Sequence, residues 1–277
     1  DLGCHRARLG RHHVEAEGQC HGDLGGIEGG EADRPGEPVG RGEVQGATLK
    51  SPQVGNLATV EGVVVADMID GLGGVFLQEE QADRDGDPMT SEGLFVQIDG
   101  ARPKVERGDV VRVHGRVSEM GEGEETLTAL AELSEFRVCG HVDELPQATL
   151  IEEPPLVADD WEAFEGMRIA VEPILTVLGN YGLIDRGELL VGLTGRQWQP
   201  TERFPPGAQS RALTEDNARA RLLLDDGSIA LGAPERVSYL SLQPSIDAPY
   251  RTGTQLSGVS GVLDQRGGSY RLHPGER

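Results

Sequence analysis

Apolar and polar residues alternate along most of the chain after about residue 43, and this alternation predicts β-strands. The first pair of predicted strands covers residues 59–66 (TVEGVVVA) and residues 71–78 (GLGGVFLQ), joined by a glycine-rich turn. Such period-two runs bounded by turn residues are typical of half-buried strands. Gly62 stands inside the first run, where a missing Cβ allows a bend or a close approach. A small five-stranded barrel such as the OB-fold begins in this way.

Three further runs extend the same unit, at residues 94–98, 110–117 and 125–130. In the first of them the aliphatic side chains share one face, and Phe95 and Gln97 share the other. In the second run the inward positions are Val111, Val113 and Val117, and the outward positions are Arg112, His114 and Arg116.

The second half of the chain repeats this pattern more loosely. Residues 159–166 predict a short helix that ends at a glycine, and residues 167–178 predict a strand in which Pro173 marks an edge or a bulge. Further strands are predicted at residues 188–193 and 220–224. Because turn, strand, glycine, strand, hairpin and strand recur in both halves, we predict an all-β fold of two tandem OB-like barrels.

The same patterns divide the chain into four parts. Residues 1–42 have almost no apolar periodicity and predict an irregular or disordered leader. Residues 43–140 predict the first OB-like domain, and residues 158–277 the second. Between them, residues 141–157 contain paired prolines, which predict an extended linker.

The composition of the chain, above all its negative charge, argues against some classes of binding partner. The chain has 277 residues, a net charge of −22, 37% hydrophobic and 4% aromatic residues. So acidic a surface repels phosphate backbones unless cations or a local basic face intervene, which argues against tight, nonspecific nucleic-acid binding by the whole chain. No apolar run reaches roughly 18 residues, so no membrane-spanning helix is expected.

The three cysteines are Cys4, Cys20 and Cys139. An odd number cannot form a closed disulfide framework, and one bridge with one free thiol is expected if the protein is secreted. Cys4 and Cys20 lie among several histidines of the leader. Their spacing lacks the tight Cys-x-x-Cys pattern of zinc sites, so the leader is better interpreted as a loose segment than as a metal cluster.

Several strings resemble one known family. They are EVQG with SPQVG at residues 43–55, VEGVV with GGVFLQ at residues 60–78, DRDGDP at residues 83–88, and EGM, NAR and LDDG at residues 165–167, 217–219 and 224–227. Together they resemble the non-catalytic N-terminal region of large bacterial extracellular endonucleases, and the resemblance covers roughly residues 43–277. In that family OB-fold-like modules precede an endonuclease/exonuclease/phosphatase domain.

The resemblance implies an extracellular, accessory region with a nuclease domain expected beyond Arg277. The catalytic domain of that family often carries a Ser-Asp-His string, which does not occur in this sequence. No other catalytic motif, such as Gly-x-Ser-x-Gly or His-Glu-x-x-His, occurs either. Catalysis would therefore depend on residues outside these 277.

An acidic loop is the candidate metal site. Asp83, Asp85 and Asp87 surround Gly86, and clustered carboxylates in a tight turn supply several of the oxygens that Ca²⁺ or Mg²⁺ requires. The loop lacks the full twelve-residue EF-hand pattern. The alternative is a solvated acidic turn without an ion, because the same residue types favour turns.

The candidate nucleic-acid site lies on the first barrel. Phe76 and Phe95 fall on matching faces of adjacent predicted strands, beside Gln78 and Gln97, and such aromatic residues can stack bases. The alternative is that both rings are packed inside the protein. The outward residues Arg112, His114 and Arg116 form a possible phosphate track. The alternative for this stripe is pairing with the abundant surface carboxylates.

Three functions are open from the sequence. The first is an accessory region of a secreted endonuclease that holds DNA or RNA weakly and has no catalytic residues of its own. The second is a calcium-stabilised structural or domain-docking β-module without nucleic-acid affinity. The third is a carbohydrate-binding module that uses Trp198, near Arg196 and Arg203, or Trp161.

Overall fold

The computed structural model describes residues 36–80, 84–100, 103–121, 123, 126–228, 237–245 and 250–275. The leader up to residue 35, with Cys4 and Cys20, and the candidate metal ligand Asp83 lie outside these residues. The described chain is mostly β and forms two sheets, with short helices only. The predicted all-β class is confirmed at this level.

The first sheet is a closed barrel of five strands in the order β1-β2-β3-β5-β4, with β4 paired back to β1. Neighbouring strands are antiparallel except β3 and β5, which are parallel. The strands are β1 (Leu57–Met68), β2 (Gly74–Gln78), β3 (Gly93–Gln97), β4 (Asp109–Met120) and β5 (Leu127–His141).

One face of each strand fills this barrel, as the alternation predicted. Val44, from the short helix α1 (Arg41–Gln45), packs into the same core. The other buried members are Val60, Val64, Val75, Leu77, Leu94, Val96, Val111, Val113, Val117 and Leu130. The predicted inward valines of β4 are therefore confirmed.

Gly62 is required by a buried arginine. The Arg41 side chain is 1% exposed, and its guanidinium donates to the Glu61 carbonyl and forms an ion pair with Glu79 (Nη1–Oε1 3.4 Å). A Cβ added to Gly62 would lie 2.0 Å from Arg41 Nη2. The close approach predicted at this glycine is confirmed, since any side chain here would displace the guanidinium.

The second sheet has eight strands in the order β11-β8-β9-β10-β13-β12-β7-β6. The pairs β10–β13 and β6–β7 are parallel, and the others are antiparallel. A second closed barrel is not confirmed. The strands are β6 (Thr149–Ile151), β7 (Arg168–Val171), β8 (Leu175–Gly179), β9 (Leu189–Gly192), β10 (Arg221–Leu224), β11 (Gln255–Leu256), β12 (Val259–Arg266) and β13 (Ser269–Pro274).

Two local predictions change in this half. The predicted strand at residues 167–178 is interrupted around Pro173 and becomes β7 and β8. The predicted linker at residues 141–157 contains β6, which pairs with β7, so part of it belongs to the second sheet. Backbone hydrogen bonds to an available sheet edge explain this, because a strand satisfies polar groups that an extended linker leaves to water.

Helices connect the strands of the second sheet, and Trp161 anchors its core. The Trp161 side chain is 0% exposed and its Nε1 donates to the Arg219 carbonyl at 3.0 Å. No sugar can reach this ring, so Trp161 is corrected from a candidate carbohydrate contact to a core residue. The helices are a 3-10 helix (Ala158–Phe164), α2 (Leu183–Arg186), α3 (Pro200–Arg203) and α4 (Ala208–Arg219).

Candidate nucleic-acid interface

The predicted stacking pair of the first barrel is buried. Phe76 and Phe95 are both 0% exposed, with ring centroids 4.9 Å apart. They lie on the outer face of the barrel, but Val262 of β12 packs in the same apolar cluster. The second sheet therefore covers this face, and a base cannot stack on either ring. The predicted base-stacking role of Phe76 and Phe95 is therefore wrong, and the alternative interpretation, that both rings are packed inside the protein, is confirmed.

The two glutamines beside these rings differ in burial and in their hydrogen-bond partners. Gln78 is fully buried, and its Oε1 accepts the Arg168 backbone N–H at 2.9 Å. It therefore ties β2 to β7 instead of contacting a ligand. Gln97 is half-buried, and its Nε2 donates to Asp99 at 3.1 Å.

We call the contact between the two sheets the joint. Gly93 and Gly166 meet there, and a Cβ on Gly93 would lie 2.2 Å from the Gly166 carbonyl carbon. The Ser91 hydroxyl donates to the Glu165 carbonyl, and the Thr128 N–H donates to Glu165 Oε2 at 3.0 Å. Close backbone contact with polar bonds around an apolar cluster makes the joint a packed interface.

The predicted phosphate track on β4 is largely neutralised. Arg112 Nη1 lies 2.8 Å from Glu61 Oε1, and Arg116 Nε lies 2.8 Å from Glu132 Oε2. His114 is only 4% exposed. It is therefore covered and not available to a phosphate, and it shares a hydrogen bond with Thr59 (Nδ1–Oγ1 2.8 Å). The alternative interpretation, pairing with surface carboxylates, describes these arginines.

The acidic loop uses its described carboxylates to hold its own backbone. Asp85 Oδ1 accepts the Asp87 N–H at 2.7 Å, and its Oδ2 accepts the Thr90 hydroxyl at 2.8 Å. Asp87 Oδ1 accepts the Met89 N–H at 2.9 Å. These are turn-stabilising contacts. Because Asp83 lies outside the described residues, a Ca²⁺ or Mg²⁺ site here stays a prediction.

Negative charge accumulates beside this loop. Glu92 Oε1 accepts the Asp85 N–H at 3.1 Å. Burial raises the pKa of Glu92 to about 7, and the hydrogen bond and negative charge of Glu79 add to the effect. A bound cation would offset this negative charge.

A second cluster of possible metal ligands was not predicted from the sequence. Among the described residues, Glu106, Asp109 and His141 place one ligand atom each within 4.8 Å of one another. A hydrogen bond to Asp109 (Nδ1–Oδ1 2.9 Å) raises the pKa of His141. The pairing of β4 with β5 brings Asp109 opposite His141, a contact that spacing along the chain does not indicate.

An open cleft of about 670 Å³ lies on the outer face of β9 and β10. We call it the β9–β10 cleft. Its floor includes Leu190 and Leu223, which face each other across these strands. The loops between β8 and β9 and between β12 and β13 form its walls. Three arginines line it, namely Arg186, Arg221 and Arg271.

The three arginines differ in whether a carboxylate neutralises them. Arg271 contacts Glu188 at 2.9 Å and Asp225 at 2.6 Å, and Arg186 contacts Glu188 at 2.7 Å. Arg221 has no carboxylate partner among the described residues, and it donates to the amide oxygen of Gln197. Arg221 is exposed, although the atoms around its side chain lower its pKa through partial burial. An anion in the cleft would meet this charge first.

An exposed tyrosine lines the cleft, and an exposed tryptophan lies on the connection between β9 and β10. Tyr181 is 85% exposed, and the Arg186 guanidinium lies 5.6 Å from its ring centroid. Trp198 is 42% exposed, with the guanidiniums of Arg196 and Arg203 at 5.0 and 4.7 Å from its ring. The sequence pointed to the Trp198 group, but it did not connect that group with the cleft, because the cleft arginines come from three distant segments.

Comparison with known proteins adds no relative: no protein-family model, no curated protein and no solved structure matches the chain. In the part of the chain that the structure describes, no helix has both the length and the apolar character needed to cross a membrane.

Proposed function

We propose that this chain is an accessory region of a secreted endonuclease, which holds single-stranded or flexible nucleic acid and has no catalytic residues itself. The observation that carries this proposal is the β9–β10 cleft. It gathers three arginines and an exposed tyrosine in a chain whose net charge is −22. Asp159 and Glu188 also line the cleft, so its arginines exceed its carboxylates by one, and a local excess of positive charge is what a nucleic acid requires on so acidic a protein.

Strand order supports OB-like folding of both halves. The order β1-β2-β3-β5-β4, closed through β4 and β1 with β3 parallel to β5, is a five-stranded barrel. If β7 and β8 are taken as one strand interrupted near Pro173, the order β8-β9-β10-β13-β12-β7 repeats it. The parallel pair β10–β13 then corresponds to β3–β5. We therefore propose two tandem OB-like units, the second with a broken first strand.

This proposal also explains the position of the cleft. In OB-folds the face of strands 2 and 3, with the loops between strands 1 and 2 and between strands 4 and 5, binds oligonucleotides and oligosaccharides. In the second unit these elements are β9, β10 and the two loops that line the cleft. Residues expected to contact phosphate are Arg186, Arg221 and Arg271.

The affinity should be modest and sensitive to salt. Each phosphate neutralised on a single strand contributes a slope of about −0.7 in log K against log salt. With two of the three arginines already paired to carboxylates, we expect one to three such contacts. Ca²⁺ or Mg²⁺ at the Asp83–Asp87 loop would further weaken the repulsive field of the first barrel.

The test is a fluorescence-anisotropy titration of a labelled oligothymidylate with the whole chain at low salt, with and without calcium. We expect saturable binding that weakens as salt rises, and a loss of about fivefold or more for Arg221→Gln, from one charge-assisted contact. Arg251→Gln is the matched control, since Arg251 is also exposed but lies outside the residues that line the cleft. Absence of binding at low salt with calcium, or equal affinity of the two variants, contradicts the proposal.

One observation favours the second candidate function, a structural or docking module. The first unit uses the outer face of β2 and β3 entirely for packing against the second sheet. A module of this kind would bind a separately purified nuclease domain and show no oligonucleotide affinity. An extracellular location belongs to both proposals.

A further inference from the structure

Two arginines are held against one exposed tryptophan beside the cleft. Arg196 and Trp198 lie on the connection between β9 and β10, and Arg203 ends the short helix α3 that follows. Both guanidiniums are within 5.0 Å of the Trp198 ring centroid. We call these three residues the Trp198 platform.

We propose that the Trp198 platform binds a single-stranded nucleic acid where it leaves the β9–β10 cleft, with a base against the indole and phosphates on the two guanidiniums. This inference rests on the proposed function and extends the binding site beyond the cleft.

The charge balance of the platform points to an anionic ligand. Among the described residues, neither Arg196 nor Arg203 has a carboxylate partner. By contrast, Arg112, Arg116, Arg186 and Arg271 are paired with carboxylates, in a chain with 47 acidic and 25 basic residues. Two unpaired cations on one ring favour a phosphate backbone over a neutral sugar. A guanidinium edge presents donors that match phosphate oxygens.

The platform is held in place before any ligand binds. The Trp198 carbonyl accepts a hydrogen bond from Asn217 Nδ2 at 2.9 Å, and Gln197 Nε2 donates to the Asn217 carbonyl at 2.8 Å. Asn217 belongs to α4 and is buried. Stacking on the indole limits the rotamers of both arginines, so less conformational entropy is lost when a ligand binds.

The platform is also continuous with the cleft. Gln197, between Arg196 and Trp198 in sequence, accepts the Arg221 Nε–H, and Arg221 lines the cleft. A nucleic-acid strand that leaves the cleft at Arg221 would therefore reach the Trp198 platform across Gln197. Stacking on an aromatic side chain of this kind contributes about 1–3 kcal/mol per base.

The two tryptophans of the chain make a direct test possible. Trp161 is fully buried and bonded to a backbone carbonyl, so quenching of intrinsic fluorescence by an oligonucleotide reports on Trp198. We expect oligothymidylate to quench the wild-type emission in proportion to binding measured by anisotropy. In Trp198→Phe the remaining emission comes from Trp161, and we expect it not to change during the titration. The presence of this emission also shows that the core around Trp161 is intact.

The affinity for oligothymidylate should also depend on the three residues of the Trp198 platform. We expect Trp198→Ala to weaken oligothymidylate binding about fivefold to tenfold, and Arg196→Gln with Arg203→Gln to reduce the salt slope by about 1.4, from two lost phosphate contacts. Leu156→Ala is the control, because Leu156 is 86% exposed and lies outside the platform.

Each outcome separates this inference from the proposed function. If anisotropy shows binding without fluorescence quenching, and Trp198→Ala binds with the affinity of wild type, the platform is overturned and the cleft remains the binding site. No oligonucleotide binding overturns both proposals. Quenching by a neutral oligosaccharide, but not by oligothymidylate, overturns the platform in favour of a carbohydrate site.

Discussion

The outer faces of two strand pairs show how one arrangement serves two purposes. Phe76 faces Phe95 across β2 and β3, and Leu190 faces Leu223 across β9 and β10. The phenylalanine pair is fully buried under the second sheet. The leucine pair lies at the bottom of an open cleft with three arginines around it. Strand geometry creates the face, and the surrounding side chains decide whether protein or solvent covers it.

Area and charge explain the difference. Two aromatic rings offer a large apolar surface, and burying it against Val262 is favourable at about 25 cal/mol per Å². Covering the leucine face in the same way would desolvate Arg221, which has no carboxylate partner among the described residues. The first face is therefore suited to permanent packing and the second to a ligand that brings its own negative charge.

The largest effect on the free energy of unfolding should come from removing a buried aromatic ring. We expect Phe95→Ala to lower the free energy of unfolding by about 3–5 kcal/mol, because it leaves a cavity in the joint. Leu223→Ala should cost about 1 kcal/mol, since Leu223 is only half-buried and its site faces solvent. Urea unfolding measures both. Equal losses would remove the distinction between a packed face and an open one.

The next effect concerns the glycine contact in the joint. Gly93→Ala should destabilise the protein by about 2–3 kcal/mol, because the new Cβ would lie 2.2 Å from the Gly166 carbonyl carbon and would push the sheets apart. Gly140→Ala on β5 is the control, as no atom lies within 4 Å of its added Cβ. If both variants unfold at the same urea concentration, the two sheets are not packed as described.

The pH dependence of stability should report on carboxyl groups of the joint. Burial, with the charge of Glu162, holds the pKa of Glu165 well above its ordinary value, and burial raises the pKa of Glu162 to about 7. The folded protein therefore binds these protons more tightly than the unfolded chain does. Their stabilisation is fully present below about pH 4.5, the ordinary pKa of a glutamate side chain, and the part due to Glu162 is lost as the pH rises through about 7. The part due to Glu165 is lost as the pH rises through the raised pKa of that group.

Thermal unfolding at pH 5 and pH 8 measures this effect. We expect wild type to be more stable at pH 5, and Glu165→Gln, which keeps the neutral form, to be more stable than wild type at pH 8. Glu172→Gln is the control, because Glu172 is exposed. A Glu165→Gln variant with an unchanged pH profile would show that this carboxyl is not held in a dry joint.

The smallest expected effect is that of divalent cations on the acidic loop of the first barrel. At ten times its dissociation constant, bound Ca²⁺ would add about 1.4 kcal/mol to the free energy of unfolding. Asp85→Ala should abolish that increment, and Arg221→Gln in the cleft should leave it intact. Identical melting temperatures with calcium and with a chelator would contradict the predicted cation site.

Much of the first barrel was determined by the sequence alone. Alternation at residues 94–98 and 110–117 is a local property, and it located β3 and β4 together with their inward valines. Gly62 was also identifiable, because a glycine inside a strand indicates a bend or a close approach. The acidic balance indicated that any nucleic-acid site must be a local basic face.

Only the tertiary structure decided what each face meets. Alternation places Phe76 and Phe95 on a common face, but it does not show that Val262, almost 170 residues further on, covers them. The cleft likewise joins Arg186, Arg221 and Arg271, which are 35 and 50 residues apart in sequence. Periodicity reflects the geometry of one strand, whereas burial and ion pairing depend on contacts between distant segments, and these exist only once the two sheets have packed together.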